Sequence, residues 1–190
     1  LVGNGADPNA RNVRGDTPLH LAAANRDTTL VDYLLGKGAQ AEALNESGSS
    51  LMHVAAWVGD VGLMKTLVEL GLEVDARTKA GFTPLHFAAQ SGYHEATDFL
   101  LAHGAGVDSA SHLGTTPLFA AVRNGHLEIV QRLATVGADV NLRRTHDLET
   151  PLGLALAHKH GEIAEYLRTR GARQGEISMP AIEEEHGQGR

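Results

Sequence analysis

The 190-residue sequence contains no cysteine, which removes disulfides, thiol nucleophiles and thiolate metal sites together. Aromatic residues are scarce at 4% of the chain, so a core must be built mainly from Leu, Ala and Val. Basic residues are outnumbered, with 16 Lys and Arg against 23 Asp and Glu and a net charge of −7. Such a chain has no general attraction to phosphate backbones or anionic lipid, so nucleic acid is not an expected partner. No apolar run approaches the roughly 20 residues that span a bilayer, and no membrane role is expected. Residues 1–9 lack the basic start and apolar stretch of a signal peptide. A cytoplasmic address is the expectation, with any signal further upstream lying beyond this chain. What is plentiful is glycine, 22 residues, within a composition that is 42% hydrophobic. That pairing suits closely spaced small elements with many turns.

The sequence repeats itself. Thr17-Pro18-Leu19-His20, Ser50-Leu51-Met52-His53, Thr83-Pro84-Leu85-His86, Thr116-Pro117-Leu118-Phe119 and Thr150-Pro151-Leu152-Gly153 recur at spacings of 33, 33, 33 and 34. At one constant offset from each block stands Gly38-Ala39, Gly71-Leu72, Gly104-Ala105, Gly137-Ala138 or Gly171-Ala172. The Thr or Ser hydroxyl can cap a helix start, and Pro at the next position is already near the helical φ. Each block therefore opens a short helix. The pairs Ala22-Ala23, Ala55-Ala56 and Ala88-Ala89 let neighbouring helices approach closely. A break follows at Gly59, Gly92 or Gly125, then a second helix carrying Leu30, Val31, Leu34 and Leu35 in the first copy and Ile129, Val130 and Leu133 in the fourth. The later glycine ends that helix. A connector then runs to a turn marked by Gly15, Gly48, Gly81 and Gly114. One copy cannot bury its own apolar faces, whereas stacked copies share one elongated core.

The phrases Gly15-Asp16-Thr17-Pro18-Leu19-His20-Leu21-Ala22-Ala23, Asn124-Gly125-His126-Leu127-Glu128-Ile129-Val130 and Gly137-Ala138-Asp139-Val140-Asn141 resemble the ankyrin repeat. The resemblance implies an all-α solenoid of stacked helix-turn-helix pairs with protruding β-hairpin loops, curved so that hairpin tips and first helices line a concave side. Its units are 11–43, 44–76, 77–109, 110–142 and a divergent terminal repeat over 143–175. Residues 1–10 resemble the end of a preceding repeat, so continuation upstream or a truncated cap is expected. Residues 176–190, with Glu183-Glu184-Glu185, read as an acidic flexible tail; Ile177, Met179 and Ile182 offer a way for it to fold back.

Some copies depart from the pattern. Ser50 keeps the cap hydroxyl without the proline, which predicts a less rigid second copy. Arg26 and Lys159 stand where a break glycine is expected, and each must strain a left-handed backbone or force another turn. The fifth copy has one extra residue over 143–149, no hairpin glycine, and Gly153 in place of the repeat His, so its hairpin should be displaced.

Family members overwhelmingly bind proteins, and rarer ones bind ligands or modified peptides. The resemblance therefore implies a non-catalytic module that binds a partner protein through its concave groove, needs no cofactor and is itself monomeric. Repeat phase and family geometry together place Arg14, Asp16, Glu46, Trp57, Lys79, Phe82, Gln90, His112, Arg123 and Asn124 among the partner-facing positions. Trp57, the only Trp, and Phe82 fit the composition of interface anchors, with Arg123 as charged companion; the alternative is that the two rings pack against each other or on local side chains. Two other readings stand beside this one. The stack is a targeting or scaffolding segment of a larger multidomain protein, or a receptor for a small ligand or modified peptide, which a closed aromatic cage beside Trp57 would favour.

Catalysis finds little support. His20, His53 and His86 occupy one repeat position, where the ankyrin resemblance implies that an imidazole satisfies hairpin backbone groups. His158 and His160, two apart, would point about 200° from each other on a helix and share no metal. No Gly-x-Ser-x-Gly elbow or nucleotide loop is present. Arg143-Arg144 with Arg168, Arg170 and Arg173 is the most basic part of the chain. It reads as charge at a solvated terminus or as a contact for an acidic partner or phosphate.

Overall fold

A computed structural model describes residues 5–174. The expectations for the first four residues and for the tail, including Ile177, Met179 and Ile182, lie outside the described residues. Ten short helices follow one another in pairs: α1 Pro18–Ala24 and α2 Thr28–Gly36, α3 Leu51–Val58 and α4 Val61–Glu69, α5 Pro84–Ser91 and α6 His94–Ala102, α7 Pro117–Arg123 and α8 Leu127–Thr135, α9 Pro151–Ala157 and α10 Gly161–Thr169. Each pair packs on itself and on its neighbours in sequence. The odd-numbered helices lie against one another over most of their length, while the even-numbered row touches only lightly.

The tight inner row follows from its side chains. Ala22, Ala55, Ala88, Ala121 and Ala155 are all buried at one repeat position, and a methyl group lets helix backbones come close. Leu34, Leu67, Leu100, Leu133 and Leu167 form the matching buried column in the even helices. Ser50 makes the same reciprocal cap as Thr17 and Thr83, so the second pair opens like the first and third without the proline.

The expected β-hairpins are absent: no β-strand occurs among the described residues. The loops between pairs are tight turns, and hydrogen bonding explains why they stop there. In the first tip the Asn12 N–H donates to Asp16 O at 3.0 Å and the Gly15 N–H to Asn12 O at 2.9 Å. The amides that a strand pair would use next, those of Arg14 and Asp16, are taken by the Asn12 side-chain oxygen. Asn45 does the same for Ser47 and Ser49. Each tip is left with one backbone bond to the next, such as Glu46 N–H to Arg14 O at 2.9 Å, and a single bond makes no ladder. The fifth tip is wider. Leu148 takes a left-handed conformation (φ 56°) there, yet the Thr145 N–H still reaches Leu113 O at 3.2 Å.

The break between the two helices of a pair is a second junction. Gly59, Gly92 and Gly125 are left-handed, and a ring from the next pair lies on each. A Cβ at these glycines would meet Tyr93 at 2.6 Å, His126 at 2.7 Å and His160 at 2.9 Å. The His126 and His160 rings also face the carbonyls of Gln90 and Arg123 in the preceding pair. Arg26 (φ 55°) and Lys159 (φ 60°) occupy the same left-handed conformation with side chains attached. Arg26 is tolerated because the ring position opposite it is Asp60, which turns back to cap α4 through the Leu63 N–H at 2.9 Å.

On the opposite side, Asn9 donates to Gly38 O and accepts from the Gln40 N–H, and Asn141 repeats this with Gly171 O and the Arg173 N–H. Asp108 keeps only the accepting half, from the Asp139 N–H. Burial, then the nearby Asp139 charge, raises its pKa above the ordinary value, against the pull of that hydrogen bond.

Three substitutions have expected outcomes in urea unfolding. Gly104, left-handed with nothing within 4 Å of a Cβ, should lose about 1 kcal/mol as Gly104→Ala. Gly92→Ala should lose about 2 kcal/mol more, since the His126 ring must move, and adding His126→Asp should recover part of that loss. Asp108→Asn should raise the urea midpoint at pH 7 slightly: a carboxylate whose folded pKa is raised costs stability above that pKa, an effect that solvent screening keeps small at this partly exposed site, and the amide can donate as well as accept.

Candidate functional site

The side chains between one tip and the next decide where the surface is closed and where it opens. His20, His53 and His86 stand at the third position of α1, α3 and α5, each buried. In every case Nδ1 lies 2.9 Å from the hydroxyl of the capping Thr17, Ser50 or Thr83. The cap residue's own N–H points at Nδ1, so that nitrogen accepts and the proton sits on Nε2. Nε2 then donates to a carbonyl of the following tip: Ser49 at 3.2 Å, Phe82 at 3.1 Å and Thr115 at 2.8 Å. One imidazole thus ties its own helix cap to the next repeat.

The series stops at the fourth pair, where Phe119 occupies the histidine's place. The Thr116 hydroxyl is left buried with no hydrogen-bond partner, and the carbonyl of Glu149 receives no imidazole. The space beside the ring is bordered instead by Arg144 of the widened fifth tip. Its guanidinium lies over Phe119, 5.6 Å from the ring centre, and is held by Asp147 at 2.6 Å and Glu149 at 2.8 Å. The side chain is only 13% exposed, so this arginine is part of the wall rather than charge at a solvated terminus. A cleft of about 420 Å³ results, lined by Phe82, Gln90, Thr115, Phe119, Ala120, Arg123, Asn124, Arg144 and Leu154.

Of the positions singled out in the sequence, Phe82, Gln90, Arg123 and Asn124 come together around this cleft. Phe82 is half-buried and packs edge-on against His86 and Phe87, with centroids 5.2 and 6.4 Å apart. Trp57 lies outside the cleft on α3, 53% exposed, and shares no ring contact with Phe82 or any other aromatic among the described residues. Arg14, Glu46, Lys79 and His112 are exposed at successive tips. Asp16 is half-buried and accepts from the Asn45 amide at 2.8 Å. The residues missed were Phe119, Ala120, Arg144 and Leu154. Phe119 in a histidine column and an extra residue before Thr150 were the available signals.

His158 and His160 do not follow the helical expectation. They straddle the break between α9 and α10, with rings stacked 5.9 Å apart. Among the described residues no three His, Asp or Glu side chains are grouped to hold a metal ion, and no helix is long and apolar enough to cross a membrane.

The buried imidazoles make the fold acid-sensitive. Burial pushes the pKa of His20 and His53 below the usual value, against the opposing pull of their carbonyl partners. It takes His86 to about 4, with Arg77 adding to the effect. The unfolded chain titrates near 6.5, so below that pH it binds protons that the folded protein refuses. Stability is therefore complete above about 6.5 and falls as pH drops toward 4. Urea unfolding at pH 7 and pH 5 should show a loss of more than 1 kcal/mol, and NMR should find the His86 ring still neutral at pH 5.

The family model described as ankyrin repeats (3 copies) matches residues 1–78, 59–144 and 85–177. No curated protein matches the chain. Together the three matches run across the whole series of helix pairs, tight tips and left-handed breaks described above, and the chain belongs to the ankyrin-repeat family.

Proposed function

We propose that this protein holds a partner protein along the face formed by the loop tips and odd-numbered helices, and performs no chemistry of its own. Ankyrin-repeat architecture serves protein–protein interaction, and its members are non-catalytic scaffolds. The observation that carries the finer reading is the contrast along α3, α5 and α7. Buried framework residues alternate there with exposed Trp57, Gln90 and Arg123, whose side chains make no hydrogen bond or ion pair among the described residues. A large exposed indole and an unpaired guanidinium on a rigid backbone suit a binding surface, because little backbone ordering cost remains at association. Arg14, Asp16, Glu46, Lys79, His112 and Asn124 extend the surface along the tips and the α7 end, with Phe82 as a fixed half-buried wall.

The test uses the full chain as bait, with Trp57→Ala/Arg123→Ala and, as a control on the outer row, Lys65→Ala. Phe82 is left in place because it supports His86. All three should unfold at closely similar urea concentrations. A partner bound by the parent and the control should bind the double variant at least tenfold more weakly in titration. Equal affinity for all three chains would move the interface off this face.

A further inference from the structure

The cleft beside Phe119 has a chemical character of its own. Its surface is mixed: Phe82 gives it an apolar edge, Phe119, Ala120 and Leu154 lie buried beneath it, and Gln90, Thr115, Arg123, Asn124 and Arg144 supply polar groups. The Nε and Nη2 donors of Arg144 are taken by Asp147 and Glu149, two carboxylates that more than offset its charge. Arg123 makes no side-chain hydrogen bond or ion pair among the described residues, and neither do the Gln90 amide and the Thr115 hydroxyl beside it. The Asn124 amide N–H is taken by Ala120 O at 2.8 Å. One guanidinium with five donors therefore stands uncommitted at the cleft.

Most of the cleft comes from the less acidic part of the described sequence. Residues 110–174 carry eight Lys and Arg against six Asp and Glu, net +2, whereas residues 1–109 carry seven against thirteen, net −6. In a chain of net −7, this is the stretch where an anionic segment meets least repulsion.

We propose that the cleft receives a side-chain carboxylate of a peptide segment in the partner protein, with Arg123 as the bidentate anchor and a neighbouring aliphatic side chain against the half-buried Phe82. This rests on the interaction reading above and names its chemistry. A carboxylate fits better than a phosphorylated side chain. Arg123 supplies one free positive charge, and Asp147 and Glu149 stand just behind Arg144, so a dianion would be under-neutralised. The histidine series explains why the site lies here. In the first three junctions an imidazole closes the space between tip and helix; with Phe119 in that column, the space stays open to an outside group.

The experiment selects twelve-residue peptides from a random phage-displayed library on the full chain, then titrates synthetic copies by fluorescence anisotropy. Enriched peptides should share an Asp or Glu next to an aliphatic residue. Arg123→Gln should weaken binding at least tenfold, and replacing the peptide's acid by its amide should do the same. Combining the two changes should cost little beyond either alone, which is the signature of a direct pair. Arg123→Gln leaves the fold intact because only the Arg123 carbonyl, through His160, serves the framework; its urea midpoint checks this. Peptides without a shared acid that are lost with Trp57→Ala would overturn this proposal and leave the interaction face standing. No enrichment, or binding indifferent to both residues, would overturn both. Selected peptides that bind the Glu183→Gln/Glu184→Gln/Glu185→Gln chain more than tenfold better than the parent would make the protein's own acidic segment the occupant, and overturn the assignment to a partner.

Discussion

The imidazoles of His20, His53 and His86 each carry two bonds that the stack depends on. One closes a helix start that a short helix cannot close with its own backbone, and the other reaches a carbonyl of the next loop tip. A helix of seven to nine residues is marginal in isolation because nucleation consumes most of what propagation returns. It becomes stable by packing on its neighbours, and the histidine couples that packing to the cap. Since Nδ1 must accept and Nε2 must donate, the bridge exists only in the neutral ring, and burial keeps the ring neutral.

The break glycines obey a related rule. A left-handed residue with a side chain is tolerable by itself, as Arg26 and Lys159 demonstrate. What it cannot coexist with is a ring from the following pair, so glycine is required where Tyr93, His126 or His160 follows and dispensable where Asp60 follows. Two positions a repeat apart are linked by volume, and neither residue can be interpreted alone.

Irregularity accounts for the candidate site. The regular junctions are closed by hydrogen bonds and rings, which leaves them little room for an outside group. The junction with Phe119, the widened tip and left-handed Leu148 is the one where the framework's polar partner is missing. Its aromatic ring and borrowed arginine replace a bridge with a wall. A cleft arises there from the loss of a repeated contact rather than from the gain of a dedicated loop.

Much of the fold was legible in the residues themselves. The spacing of Thr-Pro-Leu-His blocks, the alanine pairs and the punctuating glycines dictate paired short helices, because capping, close approach and left-handed backbone are local demands that only certain side chains meet. The loops were read wrongly as β-hairpins. Whether an amide pairs with another strand or with Asn12 or Asn45 depends on where a side-chain oxygen sits in space, which spacing does not reveal. The site was legible only in part. Repeat phase put Phe82, Gln90, Arg123 and Asn124 on one face, but Arg144 looked like solvated terminal charge, and Phe119 like one more framework residue. Their meeting across the fourth junction is a contact between residues 25 apart, produced by stacking one pair on the next. Periodicity and local chemistry determined the unit; the packing of unlike units against each other decided where the surface closes and where it is open.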